Sequence, residues 1–203
     1  MSDCCGKTID VAAMQAKQRR VLTIVLGINL ATFVMMVGAA WVSHSSSLLS
    51  GGLDNLGDAL TYALSLAVVA ASARAKARVS LLKGALILGA AVAVAIQILW
   101  RLGNPTVPIF EGMGIAALLN LGANWVCLHL LTPYREGDVN LASAWECARN
   151  DIFEGFAVLA AALLVWLFGA GWPDLLIAVA LLVMFLRSAA RVFRASVREL
   201  KAA

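Results

Sequence analysis

The sequence predicts an all-α integral membrane protein with six transmembrane helices and both termini in the cytoplasm. Three observations predict it. The chain is 62% hydrophobic and 14% charged, against about 45–50% and about 25% for a soluble domain. Its mean hydropathy is +0.86. Its basic residues stand beside the apolar runs instead of spreading over a surface. That arrangement is a topology signal, so the net charge of +4 does not indicate nucleic-acid binding. A chain of 203 residues has room for about six spans of roughly 20 residues, with little left over.

Each helix follows from local signals. Residues 1–20 are polar, include Cys4, Cys5, Lys7, Asp10, Lys17, Arg19 and Arg20, and lack a cleavable signal pattern. The first helix is expected over Val21–Val42 and the second over Leu48–Ala73. The third, Leu82–Leu102, stops before Gly103-Asn104-Pro105 and Pro108, which break the chain. The fourth, Phe110–Leu131, ends before Pro133, where a helix cannot easily continue. The fifth covers Ala142–Gly169, and Gly171-Trp172-Pro173 opens the sixth, Trp172–Val192. The expected organisation is a cytoplasmic tail (1–20) with a Cys-Cys pair, a transmembrane domain (21–193) and a short basic cytoplasmic tail (194–203), with no domain after RELKAA. Cys4, Cys5, Cys127 and Cys147 do not suggest a disulfide framework. Trp41, Trp100 and Trp172 fall near expected helix ends, as interface anchors do.

The lysines and arginines set the orientation. Lys17, Arg19 and Arg20 precede the first helix, and Arg74, Lys76, Arg78 and Lys83 separate the second and third. Arg135 and Arg149 flank the connection from the fourth to the fifth, and Arg187, Arg191, Arg194, Arg198 and Lys201 close the chain. The opposite connections hold only Arg101. The positive-inside rule therefore places both termini in the cytoplasm.

Acids at membrane depth carry the functional signal. Asp54 and Asp58 lie four residues apart inside SLLSGGLDNLGDALTYALSLAVVAA, on one helix face and one turn apart. Asp151 lies in ECARNDIFEGFAVLAAALLVWLF, four residues after Cys147. Asp58 is about ten residues, roughly 15 Å, from the outer end of its helix, and Asp151 about nine residues, roughly 13 Å, from the inner end of its own. In a hydrocarbon core about 30 Å thick the two meet near the midplane. A carboxylate there costs several kcal/mol and is seldom kept without a partner or a task. Crowded carboxylates repel one another, and a divalent cation removes that repulsion. Ligands must be deprotonated to bind metal, so protons and metal compete for the same atoms. Zinc takes four ligands of mixed oxygen, nitrogen and sulfur type. A Cys thiolate makes such a site softer and favours zinc, cadmium or similar ions over magnesium or calcium.

Secondary candidates surround this set. Glu154 falls three residues after Asp151, close to the same face, as a proton acceptor or a neutral packing partner. Asn150 is placed to orient a ligand, as metal sites often require. Asn120 and Asn124 share a face of the fourth helix, where hydrogen bonding between helices is the default role and contact with the ion path the alternative. Cys4 and Cys5 are candidates for capturing soft metal at the cytoplasmic mouth. Glu146 and Arg149 read as a solvated or paired surface, His44 as a loop residue, and His129 as a packing or solvated residue.

Two of these runs resemble signatures of the cation diffusion facilitator family. SSLLSGGLDNLGDALTY is similar to its second-helix motif and SAWECARNDIFEG to its fifth-helix motif. The resemblance covers about Val21 to Leu200 and implies a six-helix transport domain with both termini inside. It implies that Asp54, Asp58, Cys147 and Asp151 form a tetrahedral transport site for zinc or a related divalent cation. It further implies exchange of metal for protons and assembly as a homodimer; the expected location is a lipid bilayer, the bacterial inner membrane. No catalytic residue and no cofactor are expected; the metal ion is cargo. Two departures stand out. Cys147 occupies the position where the family usually has His, which opens selectivity toward cadmium, mercury or another soft ion. The cytoplasmic C-terminal metal-binding domain usual in the family is not expected here. The loop SARAKARVSLLKG has no His or Asp, so a second site of the family's type is not expected there.

Two rivals follow from the same residues. One is a metal-binding membrane protein without transport, a sensor or partner subunit. The other is an intramembrane metalloenzyme, for which Glu154 is the available general base and no HExxH-type run exists; no enzyme is expected.

Overall fold

A computed structural model describes residues 11–67, 73–135 and 139–202. Among these residues the chain forms six α-helices and one 3-10 turn, with no strand. The helices are α1 Val11–Ser43, α2 Ser46–Ala67, α3 Ala73–Gly103, α4 Phe110–Leu131, α5 Val139–Phe168 and α6 Trp172–Ala202; the turn, Thr132–Tyr134, follows α4.

Helix α4 has the bounds its flanking prolines dictate. Others differ from expectation at their basic ends. Helix α1 begins at Val11, not Val21, α6 runs to Ala202, not Val192, and Ala73 opens α3 instead of closing α2. The extensions read VAAMQAKQRR, ARAKARVSL and FRASVRELKA. They are rich in Ala, Lys, Arg, Leu and Gln, all good helix formers. Loss of hydropathy therefore does not mark where these helices end. Among the described residues, three stretches are long and apolar enough to cross a membrane: Ala16–Ser43, Phe110–Tyr134 and Cys147–Phe168. Ala91–Gly103 and Trp172–Met184 are shorter apolar stretches.

Packing divides the helices into two groups. Helices α1, α2, α4 and α5 pack against one another, and α3 pairs with α6 against α2. Met36, Leu48, Met113, Val158 and Val165 build one apolar cluster, and Leu22, Val25, Tyr62, Cys127 and Leu131 a second. A third, with Leu53, Val94, Ile98 and Leu182, joins α2 to α3 and α6. Trp41, Val34, Leu99, Leu118, Phe153 and Trp166 are exposed. Large apolar side chains on the outside of a bundle are what a lipid surround requires.

Glycines let the helices approach closely beside the acidic residues. A Cβ on Gly52 would lie 3.2 Å from Met36 Cβ, and one on Gly155 would lie 3.1 Å from Leu121 Cδ1. Small residues at contacts of this kind are the usual means of helix packing in membranes. They draw α2 onto α1 and α5 onto α4, and leave room for polar side chains at the centre.

The α1–α2 connection is tied to α6. His44 has φ 52°, and Ser45 N–H donates to Ala40 O at 3.0 Å. This is a Schellman ending with His44 in the position that usually holds glycine. The next residues meet Asp174, whose carboxylate is 0% exposed. It accepts from Ser46 N–H at 2.7 Å, Ser47 N–H at 3.0 Å, and the Ser45 and Ser47 hydroxyls, both at 2.6 Å. An α6 carboxylate thus caps the N-terminus of α2, where the helix dipole and orphan amides favour negative charge.

Candidate metal site

Helices α2 and α5 position the candidate ligands. On α2, Asp54, Asp58 and Tyr62 repeat every four residues and form one stripe. On α5, Cys147, Asp151 and Glu154 do the same at spacings of four and three. The two stripes face each other. Asp151 and Asp54 share a side-chain hydrogen bond. Cys147 and Asp58 share another, one turn along. Two carboxylates repel, so a hydrogen bond between two carboxyls contains a proton.

Asp58 and Asp151 are buried, whereas Asp54, Cys147 and Glu154 are half-buried. Tyr62 Oη donates to Asp58 Oδ2 at 3.0 Å. Asp54, Asp151 and Glu154 line a cavity of about 10 Å³ together with Asn55, Asn120 and Asn124. That is close to the least space one water needs. Asn55 Nδ2 donates to Asn120 Oδ1 at 2.8 Å. Asn29 Nδ2 donates to Val25 O at 3.0 Å and approaches Cys127 Sγ at 3.9 Å on the α4 side.

The structure thus brings all four expected ligands onto facing stripes, in two cross-helix pairs. Among the described residues, no group of three or more His, Cys, Asp and Glu side chains closes to metal-holding geometry. Glu154, expected as auxiliary, lines the cavity. Asn150 is exposed and is not among the lining residues, because neighbouring residues on a helix point about 100° apart. Cys4 and Cys5 lie outside the described residues. His129 is exposed, and Arg149 stands 5.2 Å from the centre of the Trp145 ring, a cation–π contact.

Sequence reasoning missed two members. Tyr62 continues the Asp54–Asp58 spacing by one more turn, a signal that was available. Asn55 follows Asp54 directly, and only the position of α4 reveals its partner.

The family profile described as the cation efflux transmembrane domain matches residues 22–201. The chain belongs to the cation efflux family. No curated protein matches it significantly. The match extends over all six helices and includes both stripes. Cation efflux proteins are membrane transporters, not enzymes, and this chain is an integral membrane protein of that cation-transporting type.

Proposed function

We propose that this protein is a secondary transporter that exports a divalent transition-metal cation, zinc or cadmium, from the cytoplasm in exchange for protons. Asp54, Asp58, Cys147 and Asp151 are its ligands. All six helices span the membrane with both termini cytoplasmic, an orientation supported by the Lys/Arg distribution. The observation that carries the reading is the pairing of the two stripes: Asp54 with Asp151 and Asp58 with Cys147.

The arrangement suits exchange. A proton bridging two carboxyls and a divalent cation compete for the same oxygens. An arriving cation displaces the proton, offsets much of the charge of the acids and draws the two pairs together. Loss of the cation to the other side returns the acids to protons. Differential binding of cation and protons to the two orientations drives the switch between them. The Cys147 thiol adds a soft donor that suits zinc and cadmium. Glu154, beside Asp151, serves as an auxiliary proton acceptor. Assembly as a homodimer and residence in a bacterial plasma membrane belong to the same reading and rest on the family resemblance.

Flux into proteoliposomes tests it. Purified protein is reconstituted, zinc and cadmium are supplied outside, and internal pH is followed with a dye. Metal entry coupled to proton exit, absent from Asp151→Ala, is expected. Saturable binding without flux would replace this reading with a sensor or partner subunit.

A further inference from the structure

Asn124 on α4 is 1% exposed, and neither its Oδ1 nor its Nδ2 has a hydrogen-bond partner. Buried carboxamides are normally bonded, and a bilayer interior supplies no bulk water to compensate. Asn120, four residues earlier on the same face, is the natural control. It is buried too, but its Oδ1 accepts from Asn55 at 2.8 Å. Asn120 therefore ties α4 to α2, whereas Asn124 has no such role. Both line the cavity that holds Asp54, Asp151 and Glu154.

We propose that the Asn124 carboxamide oxygen is a ligand of the transported divalent cation, so that the binding site is built from three helices, α2, α4 and α5. The assignment rests on the transport-site reading above. With neither polar atom engaged, the amide turns its oxygen toward an ion without breaking a hydrogen bond. Carbonyl oxygens ligate divalent cations without adding charge. Neutrality matters here, because Asp54, Asp151 and Glu154 already offer more negative charge than one divalent ion balances. Zinc accommodates such an addition by expanding from four to five ligands. A neutral oxygen also tempers the softness that Cys147 gives the site.

The test uses the full chain in lipid nanodiscs. Zinc affinity is measured by competition with a chromophoric chelator, the donor set by the visible spectrum of bound cobalt(II), and stability by thermal unfolding without metal. Asn124→Leu is expected to weaken zinc binding by about tenfold or more, with an unfolding midpoint equal to or above wild type, because it removes an unpaired buried amide. Asn124→Asp is expected to retain binding and to shift the cobalt bands, a change that a packing role would not produce. Wild-type zinc affinity in Asn124→Leu would mean that the amide only holds a water, and would overturn the assignment. If Asn124→Leu does not fold, the cobalt spectrum of Asn124→Asp decides, and unchanged bands overturn the assignment. If wild-type protein binds neither zinc nor cobalt, the transport-site reading itself fails and this ligand fails with it. Intact wild-type binding beside an unaffected Asn124→Leu removes only the ligand.

Discussion

Among the described residues, buried acids occur in two regions of this bundle, and their surroundings are opposite in kind. At the α2–α6 junction, Asp174 is completely enclosed and accepts four hydrogen bonds from Ser45, Ser46 and Ser47. Each of its donors is a backbone amide or a hydroxyl, and the helix end it meets is electropositive. Between α2 and α5, Asp54 faces Asp151 and Asp58 faces a thiol and a phenol. There the neighbours are titratable groups: a second carboxyl, a thiol and a phenol. The first arrangement is saturated and stabilises the fold. The second becomes balanced only when positive charge arrives. A buried carboxylate is thus read by what surrounds it: a full set of donors marks a structural part, and facing titratable groups support the proposed cation site.

Stability and transport, measured separately in both regions, distinguish the two kinds of acid. Asp151→Asn is expected to abolish coupled metal flux while changing stability by no more than about 1 kcal/mol, since it removes a charge from a crowded group. Asp174→Ala leaves the first amides of α2 and two hydroxyls without their acceptor, and is expected to lower stability by about 3 kcal/mol. Denaturant titration in micelles beside proteoliposome flux reads both. A severe stability loss in Asp151→Asn with none in Asp174→Ala would reverse the assignment of roles.

Much of the site was legible in the sequence because helical periodicity needs only the chain itself. Spacings of four and three put Asp54 with Asp58 and Cys147 with Asp151 and Glu154 on stripes, and counting turns from the helix ends brought the stripes level. What was illegible depended on neighbours distant in sequence. Asp174 stands in the first turn of α6 like any surface acid, and nothing local reveals that Ser45–Ser47 enclose it. Asn120 and Asn124 look equivalent along α4, and only the placement of Asn55 on α2 separates them. Helix ends were misjudged where hydropathy and helix propensity part, at the basic extensions of α1, α3 and α6.

Two substitutions sharpen the account inside the acidic region. Cys147→His replaces the thiol paired with Asp58 by an imidazole, a harder donor that zinc accepts readily. The ratio of cadmium to zinc transport is expected to fall by about tenfold, roughly 1.4 kcal/mol of differential binding. An unchanged ratio in competitive flux would remove the thiol from the ligand set. Tyr62→Phe deletes only the hydroxyl that donates to Asp58 at 3.0 Å. Partners that orient a ligand typically contribute about 10-fold to 100-fold in metal affinity. A loss near the lower end is expected in chelator competition, with folding intact because the ring remains in its apolar cluster. Wild-type affinity would show that Tyr62 only packs.

The smallest effect tests whether the α2–α6 junction is purely structural. His44 holds the left-handed position that ends α1, at φ 52°, one residue before the first serine that meets Asp174. A side chain there costs about 1 kcal/mol that glycine avoids. Glycine is more flexible in the unfolded chain, which offsets part of that gain. His44→Gly is therefore expected to stabilise the protein by a few tenths of a kcal/mol to about 1 kcal/mol. Its exposed imidazole lines a cavity that holds none of the acidic stripe residues, so flux and metal affinity are expected to stay at wild-type values. A rise in the unfolding midpoint with unchanged flux fits a turn that only holds α2 against α6. A loss of flux at unchanged or higher stability would show that this turn takes part in transport, and the division between a structural acid and a cation-seeking group of acids would no longer hold.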